Sequence, residues 1–221
     1  ALTHGGIANN LKVNLVRIES DYLKPKDVKN KLKEVSGILI PGGFGKRGTE
    51  GKIAAITYAR KHNIPFLGIC FGMQMAVIEF ARNRLNMRNA TSSEFGPSKG
   101  SVVGLMSEWI KDGKLMKGTD KELGGTMRLG SYEARLKKGS LINSIYKSAK
   151  IFERHRHRYE VNINFKDKFE DKGMIFSGLS PNMKLPEIIE LKNHPWFIGV
   201  QFHPEFKSRP LAPRPLFFSF I

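Results

Sequence analysis

Two unbroken apolar runs, Gly37-Ile38-Leu39-Ile40 and Ile64-Pro65-Phe66-Leu67-Gly68-Ile69, constrain this chain more than any other feature. A strand that is apolar at successive positions has no face to offer water, so the sheet it joins must be covered on both sides. Each run stops at a glycine-bearing turn, Pro41-Gly42-Gly43-Phe44-Gly45 after the first and Cys70-Phe71-Gly72 after the second. Between them Ile53, Ile56 and Tyr58 recur at helical spacing among alanines. Strand, helix and strand in succession form a βαβ unit, whose strands are parallel. The expectation is one α/β domain over residues 1–221, with a mostly parallel, doubly wound sheet and flanking helices.

Other segments are read around this unit. Alternation over Lys12–Ile18 predicts a short strand, and Lys26–Glu34 a weak helix. Met73, Val77, Phe80 and Ala81 continue as a helix directly after Cys70. Residues 91–140 read as loops and short strands, with Gly124–Gly130 a flexible, partly basic segment. Over Ile151–Asn164 alternation puts Arg154, Arg156 and Arg158 on one strand face and His155, His157 and Tyr159 on the other. Trp196–Phe202 is a further strand, ending in His203-Pro204-Glu205, and the proline-interrupted tail from Arg209 is expected to wrap the surface. Ala1-Leu2-Thr3-His4 reads as the last turn of a helix stopped by Gly5-Gly6, which places a first strand and its helix upstream of Ala1.

Composition narrows the function classes. With 40% hydrophobic residues in 221, the chain can bury a substantial core, and its single cysteine precludes an intramolecular disulfide. A free thiol fits a reducing, cytoplasmic setting. No run approaches the ~18 apolar residues of a membrane span. The net charge of +17 asks for an anionic partner. The sequence has no zinc-finger spacing, basic heptads or ribonucleoprotein aromatics, so specific nucleic-acid recognition is not expected. It also lacks a G-x-x-x-x-G-K-[ST] phosphate loop and any metal-ligand spacing.

The chemistry centres on Cys70. Gly68-Ile69-Cys70-Phe71-Gly72 has the form of a nucleophile elbow, a sharp strand-to-helix turn with small residues beside the nucleophile. Sulfur at a helix N-terminus is expected to have a lowered pKa. Far downstream, His203 ends an apolar strand and can reach the same sheet edge, while Glu205 lies at i+2, on the same side of an extended chain. Cysteine, imidazole and carboxylate then form a triad. The amides of Gly43 and Phe71 either complete an oxyanion hole or simply make tight turns. A papain-like protease also orders Cys before His, but its cysteine signature is absent. A basic binding module with an inactive triad is the non-enzymatic alternative.

The segments Pro41–Gly45, Gly68–Gln74 and Phe202–Glu205 resemble those of class I glutamine amidotransferases, whose fold is flavodoxin-like. Gly124–Gly130, Glu153–Asn162 and His203–Pro210 are similar to the glutaminase half of the CTP synthase family in particular. Phe71 stands where that pattern has leucine. The resemblance implies that L-glutamine is held by Gly43, by Phe71, Gly72, Met73 and Gln74, by Glu94 at its ammonium and by Arg158 at its carboxylate. It further implies a synthetase domain on the same polypeptide that uses ATP and Mg to aminate UTP to CTP, GTP as allosteric activator, and a homotetramer. No cofactor is expected in this chain itself. The Gly124–Gly130 segment resembles the family's mobile lid, with Arg128 a candidate for the response to GTP.

Overall fold

A computed structural model describes residues 1–105 and 127–221, together with the backbone of 108–111 and 114–117. The chain opens with helix α1 (Leu2–Ala8) and, after an extended stretch, helix α2 (Val28–Leu32), strand β1 (Ile38–Ile40), helix α3 (Thr49–His62), strand β2 (Phe66–Ile69) and helix α4 (Phe71–Arg84). Short strands β3 (Thr91–Ser92), β4 (Ser101–Leu105), β5 (Glu108–Lys111) and β6 (Lys114–Lys117) follow. The long strand β7 (Arg128–Leu136) leads through helix α5 (Leu141–Tyr146) to β8 (Lys150–His157) and β9 (Tyr159–Val161). Helix α6 (Lys166–Asp171), strands β10 (Met174–Leu179), β11 (Pro186–Leu191) and β12 (Phe197–Val200), and helix α7 (Pro215–Phe220) complete the chain.

Seven strands form one sheet in the order β1-β2-β12-β11-β10-β7-β8. The expected βαβ unit is present: β1 pairs β2 in parallel, Ile38 with Phe66 through Ile40 with Gly68, across the α3 crossover. β12 joins β2 in parallel, Phe197 opposite Phe66 and Val200 opposite Ile69. The remaining pairs are antiparallel, so the mostly parallel sheet of the sequence reading is corrected to a mixed one. The cause is connection length: β10–β11 and β11–β12 are joined by short turns, and only a crossover can return a chain in parallel.

Helices cover both faces. On one, Ile53, Ile56 and Ala59 of α3 and Met73, Val77 and Phe80 of α4 pack over Ile38, Ile40, Phe66 and Phe197. On the other, Ile142 of α5 and Leu216 and Phe217 of α7 pack over Leu67, Ile69, Ile198 and Val200. The all-buried pattern of β2 and β12 follows from this double cover.

Several local expectations are corrected. Lys12–Ile18 forms no strand; its side chains are largely exposed, and alternation without a neighbour to pair with specifies nothing. Gly5 and Gly6 lie inside α1 rather than ending it. A Cβ on Gly5 would sit 2.3 Å from the Phe217 carbonyl oxygen and one on Gly6 2.5 Å from Val13, so the pair permits close packing. The stop falls at Asn10 (φ 55°), with Leu11 N–H donating to Gly6 O at 2.8 Å. The tail does not merely wrap the surface, because α7 drives Leu216 and Phe217 into the core. Of Gly124–Gly130, residues 124–126 lie outside the described residues. Among the described residues no helix is long and apolar enough to cross a membrane.

Candidate active site

The parallel strands β1, β2 and β12 end side by side, and Gly42, Gly43, Cys70 and His203 occupy the turns just beyond them. After Ile69 the chain turns at Cys70 with φ 51° and ψ −102°, a conformation that non-glycine residues adopt only where the surroundings enforce it. The enforcement is visible: Cys70 N–H donates to Val200 O at 2.6 Å, and α4 starts at the next residue. Both elbow glycines are sterically required. A Cβ on Gly68 would meet the Gly72 carbonyl at 2.8 Å, and one on Gly72 would meet Ile40 O at 2.1 Å. The helix therefore seats directly on β1 and β2.

His203 follows β12 after Gln201 and Phe202. Its backbone N–H donates to Arg154 O at 2.7 Å, its ring stacks on Phe206 with centroids 4.6 Å apart, and Nδ1 lies 2.6 Å from Glu205 Oε1. With Nδ1 so engaged, Nε2 is left buried and without a hydrogen-bond partner. The His–Glu contact does not come from an extended chain, as i+2 spacing implied; Pro204–Lys207 is a 3₁₀ turn that folds Glu205 back onto the imidazole. Gly42, at the end of β1, makes room for the ring: a Cβ there would lie 2.7 Å from His203 Cε1. Gly43 has no comparable demand, since a Cβ on it would meet only Phe71, at 3.9 Å.

The thiol is the largest departure from expectation. Burial pushes Cys70 up to about 12, the Phe71 amide aimed at sulfur works in the opposite direction, and the carboxylates of Glu160, Glu205 and Glu94 add to burial. The helix N-terminus thus fails to lower the pKa as expected, because the sulfur is almost wholly desolvated and faces three acids.

The remaining site residues divide into two groups. Met73 is fully buried and points into the core, so only its backbone is available, and Gln74 is committed to Tyr159 O and to Gln201. Glu94 accepts from Gly45 N–H at 2.6 Å and so ties the glycine turn down; burial raises its pKa, the Gly45 bond opposing. Arg158, half-buried at the bend between β8 and β9, keeps a buried Nε with no partner. Both charges act on the Tyr159 phenol, whose pKa rises mainly through burial, with Glu94 adding to and Arg158 opposing that rise. A cation and an anion therefore stand near one ring, and the anion, Glu94, also acts on the Cys70 sulfur.

Arg128 is corrected. It is 2% exposed, 2.7 Å from Glu187 and 3.5 Å from Glu160, and lies over the Tyr132 ring, so it has no surface to offer a nucleotide. His155 and His157 share this buried cluster, their ring nitrogens 2.9 Å apart, and desolvation followed by the Arg128 charge holds both well below the usual histidine pKa. The sequence reading saw the histidine face but missed its acids, Glu160 and Glu187, and missed Gln201, whose Nε2 lies 3.6 Å from Cys70 Sγ. Strand parity carried no signal for them: Glu160 shares the spacing of Arg154, Arg156 and Arg158, Glu187 lies on a strand buried at successive positions, and Gln201 lies just past β12. Among the described residues no three His, Cys, Asp or Glu side chains are placed to hold a metal ion.

The family model for glutamine amidotransferase class-I matches residues 1–221. The chain belongs to the class I glutamine amidotransferases. Within this family, it is 75% identical over its whole length to a CTP synthase of Pelagibacter ubique and 61% identical to one of Rhizobium johnstonii. It spans 41% of the length of each. A solved structure described as the glutaminase domain of Trypanosoma brucei CTPS, with bound acivicin, matches 99% of this chain and 83% of its own at 36% identity and a TM-score of 0.89. A Thermoplasma acidophilum protein described as a GMP synthase component, 17% identical with a TM-score of 0.60, shares the fold; this chain is covered over 99% of its length and that one over 86%.

Proposed function

We propose that the chain hydrolyses L-glutamine to glutamate and ammonia through a γ-glutamyl thioester on Cys70. The observation that carries this is the convergence of a strained Cys70 with a His203 imidazole that is fixed by Glu205 and has an unpartnered Nε2. As the thiol attacks the amide carbon, its proton passes to His203 Nε2, and the carbonyl oxygen becomes an oxyanion held by the amides of Gly43 and Phe71. His203 then delivers the proton to the leaving ammonia. The same imidazole activates water, which cleaves the thioester and restores Cys70. A neutral resting thiol makes the imidazole a base in the first step. Glu94 takes the substrate ammonium and Arg158 its carboxylate, for which the planar guanidinium offers a fork. The backbone of Gly43 and of Phe71–Gln74 lines the rest of the glutamine site, and acivicin is expected to bind here as well.

The 41% span of the CTP synthase relatives supports placing this chain as the amidotransferase domain of a longer cytoplasmic enzyme. Its ammonia would serve an ATP- and Mg-dependent amination of UTP to CTP on a synthetase domain of the same polypeptide, activated by GTP in a homotetramer. The test is to incubate the chain with glutamine and assay glutamate and ammonia. Cys70→Ala, checked for retained fold, is expected to abolish release. Unchanged release by that variant overturns the reading.

A further inference from the structure

The proposed mechanism leaves unexplained how a sulfur so strongly desolvated becomes a nucleophile. Beneath it lies a chain of two buried carboxamides, Gln74 at 2% and Gln201 at 0% exposure. Gln74 Nε2 donates one hydrogen to Tyr159 O at 2.9 Å and the other to Gln201 Oε1 at 3.2 Å. The Tyr159 carbonyl fixes the Gln74 amide, and Gln74 in turn fixes the Gln201 amide. Turned over, it would oppose its own NH₂ to that of Gln74, donor against donor, with no water to relieve the clash. Gln201 Nε2 must therefore face Cys70 Sγ, and it lies 3.6 Å away. Its backbone is equally constrained, with N–H donating to Glu187 O at 2.8 Å just beyond the β11–β12 ladder.

We infer that Gln201 belongs to the catalytic machinery, as the side-chain donor that stabilises negative charge on Cys70 sulfur as its proton leaves. The inference rests on the glutaminase reading for the identity of the nucleophile. A hydrogen bond gains strength when its acceptor becomes charged, so this donor favours thiolate over thiol. It is needed because Glu160, Glu205 and Glu94 all oppose negative sulfur. The Phe71 amide, the other donor aimed at sulfur in the resting site, is the one required by the oxyanion after attack. Gln201, held from behind by Gln74, can remain on sulfur throughout.

Two variants of this chain separate the charge effect from packing. Gln201→Glu is nearly isosteric and keeps the acceptor for Gln74 but presents carboxylate oxygen to sulfur. Gln201→Met keeps the length and loses donor and acceptor alike. A packing role ranks glutamate closest to the parent, whereas a donor role ranks it last. The readouts are the rate of Cys70 alkylation by iodoacetamide at mildly alkaline pH and kcat for glutamine. Both are expected to fall about tenfold in Gln201→Met and further in Gln201→Glu, with KM little changed. Because Cys70 is the only cysteine, the S–H stretching band in the Raman spectrum reports on it alone, and the band should shift in both variants. Parent-like alkylation in a folded Gln201→Glu protein overturns the inference. Should one variant not fold, an unmoved S–H band in the other overturns it. A parent that releases no ammonia defeats the glutaminase reading instead, and the alkylation ranking still judges Gln201.

Discussion

Gly42→Ala tests the site by moving one ring. Alanine at this position would place its Cβ 2.7 Å from His203 Cε1, with Nδ1 at 3.5 Å and Nε2 at 3.6 Å. Carbon atoms at ordinary contact stand about 3.5–4.0 Å apart, so the imidazole must retreat by roughly 1 Å. It cannot do so freely: Phe206 lies parallel to it at a 5° interplanar angle, and Glu205 grips Nδ1 at 2.6 Å. Displacing a proton-transfer group by 1 Å can cost on the order of 10²-fold in rate. The stability cost of such overpacking is about 1–3 kcal/mol, and less where the ring swings toward open space. The expected outcome is a kcat for glutamine reduced about a hundredfold in a protein that unfolds cooperatively near the parent temperature. Cys70 alkylation should continue, since the sulfur is untouched. Hydrolysis within twofold of the parent would show that His203 need not occupy its present position, and would refute this account of why residue 42 is glycine.

Three further outcomes are expected. Arg158→Lys keeps the charge but loses the fork, so KM for glutamine should rise several-fold with kcat less affected, and an unchanged KM would make Arg158 a mere surface charge. Arg128→Ala leaves Glu187 and Glu160 buried without their cation; a loss of roughly 3–5 kcal/mol is expected, read calorimetrically as a thermal midpoint lower by about 10 °C. Burial raises the Cys70 thiol from 9.0 to about 12, so the folded protein stays protonated where the unfolded chain ionises. The contribution of this group is therefore fully present below pH 9 and is lost as pH rises toward 12, at up to ~1.4 kcal/mol per pH unit. Denaturant melts at increasing alkaline pH should show that slope in the parent relative to Cys70→Ala, and parallel curves would contradict it.

The legible part of this protein was the part set by short-range sterics. Gly68 and Gly72 announced the elbow because only glycine tolerates backbone within 3 Å of its Cβ position, and the apolar runs announced doubly covered strands. What the sequence did not yield depended on partners distant in the chain. The antiparallel half of the sheet required pairing β10, β11 and β7, whose hydrophobic runs carry no direction. Arg128 read as a candidate for the response to GTP because Glu187, which pairs with it, lies 59 residues away on another strand. The Cys70 pKa was misread for the same reason: the helix N-terminus is local, but the desolvation and the three carboxylates that outweigh it are assembled only in the fold.

That reversal changes how the triad must operate. Had the helix dipole prevailed, sulfur would be a preformed thiolate and His203 an imidazolium, and the site would alkylate freely without substrate. With burial prevailing, the resting sulfur is a neutral thiol. In the proposed mechanism, charge develops most readily when glutamine brings an electrophilic carbon to the sulfur and its α-ammonium to the Glu94 carboxylate, one of the three acids that oppose thiolate. Neutralising Glu94 removes its share of that opposition, so binding the correct substrate lowers the cost of forming the nucleophile that attacks it. On this account Glu94→Gln has two opposed effects. It should weaken glutamine binding by removing the ammonium's partner, and in the free protein it should speed Cys70 alkylation by removing one opposing charge. Alkylation no faster than in the parent would mean that Glu94 does not restrain the thiol, and substrate binding would then have no electrostatic route to activating it.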